Sequence, residues 1–156
     1  MTDSRPHKTP GPDHPITLQP SPAHVVVRSG SLVIAETDRA LAMREASYPT
    51  VLYVPLDDVD QRMLRQSDHH TYCPYKGEAS YYDIIESDGP DLTAAVWYYD
   101  DPFPAVAEIK GHVAFYADRV TVSATSSRST LQSGGPAQID SSLTMDSDDR
   151  RDRRSA

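Results

Sequence analysis

The run Thr71-Tyr-Cys-Pro-Tyr-Lys-Gly77, with His69 and His70 just ahead of it, gathers a thiol, an amine, a hydroxyl and two imidazoles within nine residues. Cys73 is the single cysteine of the chain. A thiolate is the reactive form of such a residue, and a cation held near it favours that form. Lys76 is placed to be that cation, which makes Cys73 a candidate nucleophile or redox centre. Lys76 or Glu45 would then assist proton transfer. The plainer alternative is that Cys73 fills a small apolar site, a common fate of free cysteine. Pro74 and Gly77 support a tight bend that turns Lys76 inward, and they serve an ordinary loop as well.

A second set of residues suits binding. Arg39, Glu45 and Lys76 form a candidate charge network, because a guanidinium fork matches a carboxylate or phosphate. The alternative is surface ion pairing of little energetic consequence. Nine tyrosines and one tryptophan are many for a small chain. Alternation along a strand puts Trp97 and Tyr99 on one face and Tyr98 on the other. Aromatic walls with a few polar groups describe ligand pockets, and they also describe a β core. The candidate binding residues are therefore Arg39, Tyr53, Thr71, Trp97 and Tyr99, with Cys73, Lys76 and Glu45 as catalytic candidates.

No metal or cofactor is implied. His69, His70, Cys73 and His112 offer donor atoms, but structural zinc sites usually need four ligands and most contain paired cysteines. There is no glycine-rich phosphate loop, nucleophile elbow or His-Glu-x-x-His. The formal net charge of −8 argues against nucleic acid, which calls for clustered positive charge. The one basic cluster, Arg150, Arg151, Arg153 and Arg154, is interleaved with aspartate and reads as a solvated tail. A lone cysteine fits a reducing compartment. No apolar leader or membrane-length run is present, so the expectation is a soluble, cytoplasmic protein with no membrane partner.

The elements that must position these residues read mostly as strands. Residues 1–12 and 124–156 lack apolar patterning and are expected to be disordered, leaving one domain over 13–123. His24–Arg28 and Leu32–Ala35 flank Ser-Gly-Ser and predict a hairpin. Arg39–Glu45 fits a strand or a helix. Thr50–Val54, Glu78–Glu86, Leu92–Tyr99, His112–Tyr116 and Arg119–Val122 read as strands. Asp57 or Asp58 as a cap, with Val59 and Met63 four residues apart, predicts a helix to Gln66. Ala105–Lys110 predicts a single helical turn, and Asp88–Asp91 a chain reversal. The fold class expected is mainly β: a compact antiparallel sheet closed into a barrel or sandwich, with one or two short helices.

Motifs spread along the domain carry a resemblance. His14-Pro-Ile, Ile34-Ala-x-x-x-Arg39-Ala-Leu, Glu45-x-x-Tyr48-Pro49, Tyr53-x-Pro55-x-x-Asp58-Val59, Thr71-x-Cys73-Pro74-x-Lys76-Gly77, Trp97-x-Tyr99 and Gly111-His-Val-Ala-Phe-Tyr116 occur in that order. Together they resemble the bacterial and fungal family called domain of unknown function 427, across residues 14–122. Thr50 stands where members often carry a second proline. The resemblance implies a β-tent fold, similar to methionine sulfoxide reductase B and the thalidomide-binding domain of cereblon. The four-cysteine zinc site of those relatives cannot be built from Cys73 alone. The nucleotidyltransferase label sometimes given to the family finds no phosphate loop or paired metal-binding carboxylates here. Arg39, Glu45, Tyr53, Thr71, Cys73, Lys76 and Trp97 are the residues the resemblance carries over as a candidate site. Three functions follow as expectations: a small-molecule-binding β domain, an enzyme using Cys73 and Lys76, or an interaction module with an acidic surface. The first is taken as the lead.

Overall fold

The computed structural model describes residues 5–87 and 89–126. The expectations for 1–4 and for most of the C-terminal tail, and the Asp88 part of the predicted reversal, lie outside these residues. Within them the protein is mainly β, with ten strands in two antiparallel sheets.

The smaller sheet is built on the predicted hairpin. Strands β2 (Ala23–Ser29) and β3 (Leu32–Thr37) pair around a turn at Gly30, whose φ of 60° is one that side chains disfavour. β10 (Thr121–Ser126) lies on the other side of β2. Alternation along β2 buries Val25 and Val27 completely.

The larger sheet has seven strands. Its order is β1 (Ile16–Pro20), β4 (Leu41–Glu45), β5 (Val51–Pro55), β9 (His112–Phe115), β8 (Leu92–Tyr98), β7 (Gly77–Ile84) and β6 (Leu64–Cys73). The Arg39–Glu45 segment, open between helix and strand in the sequence, is a strand from Leu41 on, its backbone paired with β1 along one edge and β5 along the other. The two edge strands have no clear signature in the sequence. β1 ends in Pro20, which only an edge tolerates. β6 runs through the polar stretch Gln66–His70, where its register with β7 slips. Bulged, polar edges of this kind resist pairing with other chains.

The helix predicted from Asp57 to Gln66 does not form. In its place are two single 3₁₀ turns, Leu56–Asp58 and Gln61–Met63, and Leu64 already begins β6. The cause is tertiary. Val59 is extended, bridges to Ala35 of β3, and is buried in the core, while the Asp60 amide donates to the Ile34 carbonyl at 2.8 Å. Asp58 accepts from Thr37 at 2.6 Å. A two-turn helix gains too little on its own to compete with those contacts. A third 3₁₀ segment, Pro104–Ile109, stands where one helical turn was expected.

Residues 5–10 form no strand or helix, yet they touch the domain. His7 stacks on Phe103 with 3.7 Å between ring centroids, Arg5 lies 4.2 Å over the Tyr72 ring, and the Lys8 amide donates to the Pro74 carbonyl. Ring and backbone contacts of this kind leave no apolar periodicity to read.

The two faces of the large sheet bury different material. One packs Val54, Ile84, Val96, Val113 and Phe115 against Val25, Val27 and Ile34 of the small sheet. The other carries Met43, Tyr53, Tyr81, Tyr99 and Ala114, closed over by Val106 and Ile109 of the 3₁₀ segment.

Candidate functional site

The turn Pro74-Tyr75-Lys76 closes β6 onto β7. The Lys76 amide donates to the Cys73 carbonyl at 3.2 Å, and the Phe103 amide donates to the Lys76 carbonyl at 3.0 Å. Gly77 follows with φ 108°, a conformation glycine takes without strain. This bend turns Lys76 inward, so that only a tenth of its side chain is exposed. Glu45 reaches the same place from β4. It stands two residues beyond Met43, on the buried face of the strand.

Neither charge is left alone. Lys76 Nζ donates to Glu45 Oε1 at 2.5 Å, and His14 Nε2 donates to Glu45 Oε2 at 2.7 Å. Strand register delivers His14: Ile16 pairs with Glu45, and the Ala46 amide donates to the Pro15 carbonyl. The His14 ring is then held by stacking on Tyr75 at 4.0 Å. Burial pushes the Glu45 carboxyl up, but the hydrogen bonds from Lys76 and then His14 outweigh it and hold Glu45 below its ordinary value. Glu45 is therefore an anion clamped between two donors.

Beside this clamp is a pocket of about 220 Å³. Met43 and Val51, a cross-strand pair of β4 and β5, form one wall. Tyr81 and Trp97, a pair of β7 and β8, form another, and Tyr53, Tyr99 and Tyr116 complete it. Trp97 Nε1 donates to the Tyr53 hydroxyl at 3.3 Å. The Tyr81 hydroxyl is 2.8 Å from Thr71 Oγ1 and hydrogen-bonds Tyr116. Burial, before any other cause, raises the Tyr53 and Tyr99 phenols well above their ordinary value, and it pushes Tyr116 up to about 12. All three stay protonated, and so remain hydrogen-bond donors, at neutral pH. Ala114 of β9 faces Trp97 with only a methyl group, which leaves room among the rings.

The structure gathers some of the sequence candidates and separates others. Glu45, Lys76, Tyr53, Trp97 and Tyr99 line one pocket. Thr71 stands behind it, on the Tyr81 hydroxyl. Arg39 does not join the charge network: its guanidinium is largely exposed and pairs with Asp58 at 3.1 Å. The position that would have turned it inward precedes β4, outside the strand whose alternation buries Glu45. Cys73 is half-buried and packs against the aromatic cluster. The ammonium expected beside it donates to Glu45. His69 tilts onto Tyr81, His70 faces Ser80 and Glu78, and His112 turns to the Lys110 carbonyl. Among the described residues no group of three His, Cys, Asp or Glu could hold a metal ion.

Five lining or clamping residues were not among the candidates: His14, Met43, Tyr81, Tyr116 and Val51. The His14-Pro-Ile motif was a signal for the first. Period-two alternation from Glu45 back to Met43 was a signal for the second. Tyr81 and Tyr116 stood out only as members of a tyrosine-rich chain.

Fold and site together define a mainly β domain with a buried carboxylate–ammonium pair beside an aromatic hollow. A family model described as a domain of unknown function, DUF427, matches residues 17–126. The chain belongs to that family. No curated protein matches it. Among the described residues no helix is long and apolar enough to cross a membrane.

Proposed function

We propose that this domain binds a small molecule in the pocket beside Glu45 and Lys76. The observation that carries the reading is an ion pair, its side chains only 10% and 13% exposed, that borders a hollow instead of being packed over. A buried ion pair is weak support for stability, because desolvation offsets most of its attraction. Its retention beside open space is better explained by a role toward something that enters. The surroundings suit that role: apolar and aromatic walls with a few polar groups at fixed positions are the usual make-up of ligand sites. The Cys73 reading has less behind it, since the hydrogen-bond partner of the Lys76 ammonium is Glu45.

A thermal-shift screen of small molecules tests the proposal. A compound that binds only the folded state stabilises it by about 2.7 kcal/mol at a hundred times its dissociation constant. The expected outcome is at least one compound that raises the unfolding midpoint of the native sequence and loses that effect in both Lys76→Ala and Trp97→Ala. Compounds that act equally on all three proteins would place binding elsewhere and overturn the assignment.

A further inference from the structure

The pocket's hydrogen-bonding capacity is unevenly used, and the imbalance points to what it takes. Lys76 has three N–H donors, and Glu45 receives one. The Tyr53 hydroxyl accepts from Trp97 Nε1, which can only donate, so its own hydrogen is unspent among the described residues. The Tyr99 side chain is buried, with the residue only 6% exposed, and its hydroxyl has no hydrogen-bond partner among the described residues. An unsatisfied buried hydroxyl is costly, and such groups call for an explanation. Four donor hydrogens thus border one small space.

Charge points the same way. The one carboxylate that lines the pocket among the described residues is already clamped by Lys76 and His14. An incoming cation would meet the Lys76 ammonium and would have to displace one of those partners. An incoming oxyanion would meet donors that have nothing else to bind. Five aromatic rings alone would suit a cation, but here the cation is supplied by the protein.

Resting on the small-molecule reading above, we infer that the pocket takes a small carboxylate. Its oxygens are received by Lys76 Nζ and the hydroxyls of Tyr53 and Tyr99, and its apolar body lies against Met43, Val51 and Trp97. At about 220 Å³ the pocket falls below the range of roughly 300–1,000 Å³ usual for drug-sized ligands, so the ligand is about the size of a single ring.

Trp97 is the only tryptophan, so its fluorescence reports on this pocket in the full chain. It also borders a second, apolar pocket of about 230 Å³ that Lys76 and Tyr99 do not line, and variants at those two residues tell the pockets apart. The experiment titrates the protein with sodium acetate, sodium benzoate, benzamide and benzylamine at matched ionic strength. Benzoate should bind at least about tenfold more tightly than benzamide, with benzylamine weakest, the ratio expected for charge-assisted hydrogen bonds. Tyr99→Phe should weaken benzoate about tenfold while leaving the unfolding midpoint unchanged or higher, because it removes an unpaired polar group. Lys76→Met should abolish the preference for benzoate over benzamide. If benzamide or benzylamine binds as well as benzoate, or Tyr99→Phe leaves benzoate affinity intact, the carboxylate inference fails and the pocket reading stands. If neither carboxylate binds, the inference fails outright. Should the thermal-shift screen also yield nothing lost in Lys76→Ala, the pocket reading fails with it.

Discussion

The two faces of the seven-stranded sheet obey the same alternation rule and reach opposite results. On the face toward β2 and β3, the buried positions hold Val, Ile, Ala or Phe, and the hollow that Val27, Val54 and Phe115 border is apolar. On the other face the inward positions hold Tyr, Met and Ala, and at one of them Glu45. An apolar hollow leaves no polar group to satisfy. A carboxylate placed among buried rings requires a partner of opposite charge. The difference between the faces is therefore one of polarity: one buries only apolar groups, and the other buries an ion pair beside its hollow.

The largest effect expected breaks the first face. Ile34 is fully buried between the sheets. Ile34→Ala should cost about 3 kcal/mol, from lost transfer energy and the cavity left behind. Urea unfolding would show this as a lower midpoint with an unchanged slope. Ligand affinity per folded molecule should not move, because Ile34 does not line the Glu45 pocket. A parallel loss of affinity would mean that the two faces are not energetically separate.

The next effect sharpens the comparison from the second face. Lys76→Met leaves a buried carboxylate with His14 alone, and Glu45→Leu leaves a buried ammonium with no acceptor. Each should cost about 2–3 kcal/mol, while the double variant should cost less than either, since two apolar residues need no partners. Equal or additive losses would show that the pair is hydrated rather than enclosed. The pH dependence follows from the direction of the Glu45 shift. Its folded value lies below the ordinary 4.5, so its contribution is complete above pH 4.5 and is lost as pH falls toward the folded value. The stability gap between the native sequence and Glu45→Gln should therefore narrow below pH 4.5.

The fold and the site were not equally readable from the sequence. Central strands such as Val51–Pro55 and Leu92–Tyr98 announce themselves, because burial on both faces demands β-branched and aromatic residues. Edge strands do not: β6 is mostly exposed and polar, and nothing selects an apolar pattern for it. The false helix at Asp57–Gln66 had correct local signals, and it lost to a strand pairing between Val59 and Ala35 that lies 24 residues away in sequence. The charge network was half readable for a related reason. Glu45 and Lys76 sit in an alternating strand and a Pro/Gly bend, both local features. His14 joins them only through the register of β1, and Arg39 leaves them for Asp58, a residue of the misread segment. Where a side chain's partner is set by long-range pairing, the type of the residue does not reveal it.

The smallest effect belongs to the outer surface of the small sheet, and its sign opposes that of Glu45. His24 on β2 holds Asp38 with Nδ1 and Glu36 with Nε2, both at 2.6 Å. Both carboxylates only accept, so the ring must carry both hydrogens and is an imidazolium. The hydrogen bond to Asp38 first, then that to Glu36, raises His24 above its ordinary 6.5. A raised value means that the contribution is complete below pH 6.5 and fades as pH rises through the folded value. All three side chains are substantially exposed, so solvent and salt screen the attraction. Unfolding midpoints of the native sequence and His24→Gln should differ most in mildly acidic, low-salt buffer and converge toward alkaline pH. A gap that widened with pH would mean that the ring is neutral in the fold and one carboxylate has no donor. The two sheets would then share an acid sensitivity instead of dividing it, with the ion pair beside the pocket failing at low pH and the surface clamp at high pH.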